Sequence, residues 1–224
     1  MSKLQSKPEP RCVTLDGHLY VGVTSAMKLV KHILQEPDEY IGINPYDLQM
    51  HCLEGEACHA VALDWLAYKW GLLPEWTVPP WPSEQHNDLE RWERVLHVAK
   101  LNFELFVGQY DVEPIALEQE SLSRAYGLVG HLDLFCFMLW RGRRIKAVID
   151  LKFVASVLRS HFLQVRCYGR LDGFKDATMG FLFHSNRNTG VWKLEEVNLT
   201  QGLDDVAAVA NAARLWAWAE GKKS

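Results

Sequence analysis

Two apolar runs, 128–139 and 145–153, are joined through Arg141-Gly142, and each carries one aspartate, Asp133 and Asp150. Runs of this length and composition on either side of a turn dipeptide read as two paired strands at the centre of a sheet. An ionised carboxylate in such a run is costly unless it is paired or bound to a metal. If the hairpin closes around 141–144, the two aspartates are about equally far from the turn and become cross-strand neighbours. Two adjacent carboxylates repel, and a divalent cation relieves the repulsion; oxygen donors favour Mg²⁺ or Mn²⁺. Lys152 shares the face of Asp150, two residues on. A buried Asp–Lys–Asp salt bridge would satisfy the same residues without a metal.

Around this hairpin the hydrophobic period divides the chain. Residues 1–22 read as a polar, Pro-containing tail and a hairpin over 12–23 that turns at Asp16-Gly17. Residues 23–107 read as mainly helical: a helix capped by Thr24 or Ser25 and running to 35, a loop over 36–53, a helix over 54–70 and a helix from Ser83 or Asn87 to 106. Pro74, Pro79, Pro80 and Pro82 separate the last two helices and form the best internal boundary. Residues 108–224 switch to alternation, with strands over 112–122, 128–139, 145–153, 178–183 and 191–197. A helix over 156–171 and a closing helix over 204–219 complete them. The order predicts one α/β domain, a central mixed β-sheet flanked by helices with a helical N-terminal part. At 224 residues the chain can bury a full core without disulfides or a structural metal.

Composition excludes several classes. The run over 127–140 is cut by His131 and Asp133 and is too short for the ~20 residues that cross a bilayer. The N-terminus has no apolar signal-like segment. Five scattered cysteines with no CxxC pair suggest reduced thiols and a cytoplasmic setting, that of a bacterium or a phage-infected host. Net charge is −4, yet residues 141–175 hold nine basic against two acidic side chains. A basic strip on an acidic body is the outline of a polyanion binder, with Arg144, Arg159, Arg166 and Arg170 as the candidate contacts to DNA. Arginines that merely solvate a helix face would give the same count.

Gly130-x-x-Asp133, Asp150-x-Lys152 and Gln164-x-x-x-Tyr168, in that order, resemble the PD-(D/E)XK nuclease superfamily, in its RecB-like branch. Val23-Thr24-Ser25 at a helix start is similar to phage and mitochondrial exonucleases of that branch, and Gly55 to His59 resembles its Gly-x-x-x-His helix. The resemblance spans about residues 23–170. It implies a restriction-endonuclease-like core and a metal held by Asp133, Asp150, the Leu151 carbonyl and His59. Glu120 stands where some members carry a further acid, although Glu118 points the same way and could substitute. Lys152 would orient or deprotonate the attacking water, and Gln164 and Tyr168 would orient the catalytic groups or contact DNA. Related nucleases hold an iron–sulfur cluster on one Cys before the His and three near the C-terminus; no Cys follows Cys167, so no cluster is expected. The activity implied is metal-dependent hydrolysis of DNA by an exonuclease serving recombination, repair or phage replication, with proteins of those processes or further copies of the chain as partners. A structure-selective endonuclease and a non-catalytic nucleic-acid binder of the same fold are the alternatives.

Overall fold

The structure is a computed structural model that describes residues 11–34, 44–83, 87–200 and 203–221. The expected polar tail over 1–10 and the 36–43 part of the expected loop lie outside these residues. The elements run β1 (Cys12–Leu15), β2 (His18–Gly22), α1 (Val23–Ile33), α2 (Pro45–Lys69), α3 (Leu89–Gln109), β3 (Glu113–Ser123), β4 (Leu128–Trp140), β5 (Arg143–Lys152), α4 (Arg159–Tyr168), β6 (Met179–Ser185), β7 (Trp192–Val197) and α5 (Leu203–Ala219). No helix among the described residues is long and apolar enough to cross a membrane.

One expectation is corrected at the front of α2. Residues 45–53 are helix rather than loop. Asn44 caps the helix, its side chain accepting from Asp47 N at 2.9 Å, and Pro45 occupies the first turn, where a missing N–H costs nothing. Pro45 acts here as a helix start, not a breaker. The helix predicted over 156–171 is shorter, 159–168.

The seven strands among the described residues form one mixed sheet in the order β1-β2-β4-β5-β6-β7, with β3 also on β4. β4 and β5 pair antiparallel from Trp140↔Arg143 to Leu134↔Ile149, and β5 runs parallel to β6. Helix α4 forms the crossover between those parallel strands, as a parallel connection requires. Two cores result, one on each face. α2 and α3 pack on Leu134, Cys136, Ala147, Ile149 and Leu151, while α1, α4 and α5 pack on Leu132, Phe135, Val148 and Leu182. β5 is therefore buried on both faces, which accounts for its nearly unbroken apolar sequence.

β4 departs from regular alternation at one place. Leu132 and Leu134, two apart, belong to opposite cores, so the alternation breaks at Asp133. Opposite it, the β3 ladder passes from Leu117↔Leu134 to Gln119↔Leu132, and the intervening Glu118 takes a left-handed φ of 46°. Along its other edge β4 pairs with β2 at Leu128 and Val129 and with β5 only from Leu134 onward. Among the described residues, no strand pairs with 130–133 on that edge. The sheet splits there.

Candidate metal centre

Asp133 sits at the split. Its Oδ2 accepts from Leu151 N at 2.6 Å, a bond that holds the end of β5 where ladder pairing stops. Carried one step past Leu134↔Ile149, the register sets Asp133 opposite Asp150, as the symmetric hairpin predicts. Asp150 is 1% exposed, and its Oδ2 lies 2.6 Å from Lys152 Nζ. That oxygen has no regular hydrogen bond beyond the ion pair. Burial, and secondarily the neighbouring Asp133, push the Asp150 carboxyl up to about 6 against the pull of Lys152. Burial likewise raises Asp133. Negative charge is crowded here beyond what one lysine offsets, a condition a cation would relieve.

Helix α2 brings the histidine. His59 stands on the stripe of α2 that faces the sheet end, its Nδ1 3.7 Å from Asp133 Oδ2 and its ring edge-on to Phe153 at 5.2 Å. The ring also hydrogen-bonds the Leu151 backbone. Burial, and then the charge of Lys152, lower His59 to about 4, so the imidazole is neutral near pH 7 and has a lone pair to offer. One ligand atom each from His59, Glu118 and Asp133 lies within 4.8 Å of the others. These residues, with Lys152 and Phe153, line a cleft of about 630 Å³. One imidazole and two carboxylates, with a third carboxylate behind them, suit Mn²⁺ or Mg²⁺. The donor set therefore fits the cation that the motifs imply.

The structure brings most of the predicted residues together. Asp133, Asp150, Leu151, Lys152 and His59 meet at the split. Gln164 and Tyr168 are buried on α4, joined by Gln164 Nε2 donating to the Tyr168 hydroxyl at 2.7 Å, and that hydroxyl also hydrogen-bonds Thr24 at the start of α1. Gly130 explains its own place in the motif: a Cβ there would stand 2.9 Å from Tyr168 Cε1 and 3.0 Å from Leu171 Cδ1. Only glycine lets α4 lie so close to β4.

Glu120 pairs with the exposed Arg11 at 2.9 Å and lies outside the cluster, whereas Glu118, which the sequence also offered, lies in it. In a regular strand both would share a face, and the left-handed φ at Glu118 decides between them. That side chain lies 3.0 Å from His131 Nε2, so His131, which the motifs pass over, belongs to the site's surroundings. The visible sequence signal was the placement of His131 two residues before Asp133, hence on one nominal strand face.

The arginines do not form one strip. Arg144 is at the hairpin tip, roughly 20 Å along β5 from Asp150 at ~3.3 Å per residue, and is paired with Glu113 and Asp111. Arg166 pairs with Asp205 at 2.8 Å, and Arg170 donates to the Leu199 carbonyl. Arg159 is exposed at the start of α4. The excess positive charge of 141–175 is spread over β5 and α4, much of it against acids from elsewhere in the chain. Cys58 is buried, its thiol pushed up to about 12 by burial, and it adds no sulfur to the cluster.

No family model matches the chain, and no curated protein matches it. Among solved structures, the crystal structure of SSO0001 is similar at a TM-score of 0.36 and 14% identity, over 86% of this chain and 83% of that one. A likeness this loose bears on neither fold nor function.

Proposed function

We propose that this protein is a divalent-metal-dependent nuclease that hydrolyses phosphodiester bonds of DNA on a PD-(D/E)XK-type core. One observation carries the reading: the convergence of His59, Glu118 and Asp133 within 4.8 Å at a break in the sheet. The buried Asp150–Lys152 pair lies beside them. Purely structural ion pairs do not require an imidazole kept neutral, nor a strand bent to a left-handed φ to deliver an acid.

His59, Glu118, Asp133 and Asp150 would hold the cation. When bound, the cation would supply Lewis-acid activation of water and offset charge on the scissile phosphate. Lys152 is 17% exposed at the cleft and held by Asp150, so it can present its ammonium to a phosphate oxygen without searching rotamers. Asp133 grips Leu151 N, which ties the ligand set to the end of β5. Gln164 and Tyr168 brace α4 against β4 beneath the site. The resemblance to exonucleases in the ordered motifs favours cutting from strand ends.

The test uses linear and covalently closed circular DNA, each single- and double-stranded, with Mn²⁺, Mg²⁺ or EDTA. Wild type and Asp150→Asn are run side by side. Metal-dependent loss of linear DNA alone, absent from the variant, is the expected result. Cutting of circles would assign an endonuclease instead. No cutting by folded wild type under any metal would refute the reading.

A further inference from the structure

Helix α5 is apolar on every side. Among its 17 residues only Asp204, Asp205, Asn211 and Arg214 carry a charge or an amide, and a helix of that kind is normally covered all round. One side is covered here: Val206, Val209, Ala210, Ala213 and Ala217 are buried in the core shared with α1 and α4. The opposite side carries Leu215, 65% exposed, and Trp218, 75% exposed.

The outer residues form a pattern that complements itself. Asp204, Ala208, Asn211, Leu215 and Trp218, all exposed, follow one another at spacings of 4, 3, 4 and 3. That spacing is the seam of a helix pair, in which a single Asn fixes register and orientation. Asn211 stands at its middle, with an acid and a small residue on one side and two large apolar side chains on the other. With a second copy turned end for end about Asn211, Leu215 of each helix lies over Ala208 of the other, and Trp218 over Asp204. Ala208 also walls a depression of about 540 Å³ with Val30, Phe162, Leu163 and Ala212, which gives an incoming Leu215 room. The polar groups match as well. An indole N–H only donates and a carboxylate only accepts, while two Asn amides related by a dyad can each do both. Asp205 and Arg214 are already held within the chain, by Arg166 and the Tyr126 carbonyl. Asp204 and Asn211 have no side-chain partner among the described residues. A parallel pair would instead set Asp204 against Asp204 and Trp218 against Trp218, leaving both Ala208 positions unfilled.

We propose that α5 is the interface of a twofold dimer, pairing antiparallel with α5 of a second copy across Asn211. Such an interface uses the same patch on both copies and closes on itself. It does not rest on the nuclease reading: α5 covers the sheet face opposite α2, so the clefts at His59 stay open. At ~1.5 Å per residue the helix is about 25 Å long. The interface is therefore small, and association is expected between ~1 µM and ~1 mM.

Sedimentation velocity of the full chain over that range should show the monomer passing to a species of twice its mass. Leu215→Glu should weaken association about tenfold or more, and Ala208→Arg should do the same by filling the space opposite Leu215. Both positions are exposed, so the fold should survive, which circular dichroism of the dilute variants checks. Leu105→Glu, at an exposed leucine of α3, should leave association unchanged. Register is read by oxidative cross-linking in a Cys12→Ser, Cys52→Ser background. There Asn211→Cys should link to itself, and Asp204→Cys should link only to Trp218→Cys on a mixed partner. A chain that stays monomeric throughout, wild-type association in Leu215→Glu, or Asp204→Cys linking to itself overturns the proposal. Dimerisation without any DNA cleavage would uphold this interface and refute the nuclease.

Discussion

Replacing Glu54 with Gln tests how α2, the helix that delivers His59, is anchored. Glu54 is fully buried, and Arg91 on α3 grips it at 2.5 and 3.0 Å. Arg187, from the turn between β6 and β7, comes within 3.4 Å. Removing one member of a buried ion pair costs ~3–5 kcal/mol, because the partner charge is left buried without its counter-ion. Arg91 keeps a third of its side chain exposed and can recover water, and Arg187 retains the His51 carbonyl at 3.0 Å. A loss of about 2–3 kcal/mol is therefore expected, given that partial compensation. At ~2–4 °C per kcal/mol for a chain of this size, the melting temperature should fall by roughly 4–12 °C. Urea unfolding at pH 7 measures it, with a double-mutant cycle using Arg91→Met to isolate the pair. A loss below about 0.5 kcal/mol, the range of an ordinary surface substitution, or additive single variants, would refute the argument that this cluster locks α2 in place.

Three further outcomes are expected. Glu118→Gln should weaken Mn²⁺ binding measured by calorimetry, and His131→Ala should weaken it about 10–100-fold as an outer partner, whereas Glu120→Gln should leave it unchanged; equal effects of the two glutamate variants would refute the assignment of Glu118. Gly130→Ala should cost ~1–3 kcal/mol by overpacking against Tyr168 and Leu171, seen as a lower urea midpoint, and an unchanged midpoint would show that α4 can retreat freely. Burial, then Lys152, lower His161 to about 3 from an ordinary 6.5, so its contribution to stability is complete above about 6.5 and is lost as pH falls toward 3. His161→Gln should flatten the stability–pH curve in that window, and an identical slope in both proteins would refute the buried neutral imidazole.

Much of the fold could be read directly from the chain because its signals are local. The apolar runs around Arg141-Gly142, their two aspartates and the period change after residue 107 depend only on spacing along the backbone, and β4, β5 and the Asp133–Asp150 register follow from them. The loop expected over 36–53 gives way to helix at Pro45 because a proline has opposite meanings inside a helix and at its first turn, and the Asn44 cap that resolves them becomes clear only with the helix in place. Glu118 and Glu120 are equivalent to any period-2 argument. What separates them is one left-handed residue and a break in β4 alternation, both set by packing on two faces of the sheet. The scattering of the arginines has the same origin. Charge counted along 141–175 is one-dimensional, while the acids Glu113, Glu196 and Asp205 that meet it arrive from distant segments. The chain by itself thus determined which strands form and which acids they carry. Only the tertiary structure decided which of those acids converge with His59, because convergence depends on contacts between residues far apart in sequence.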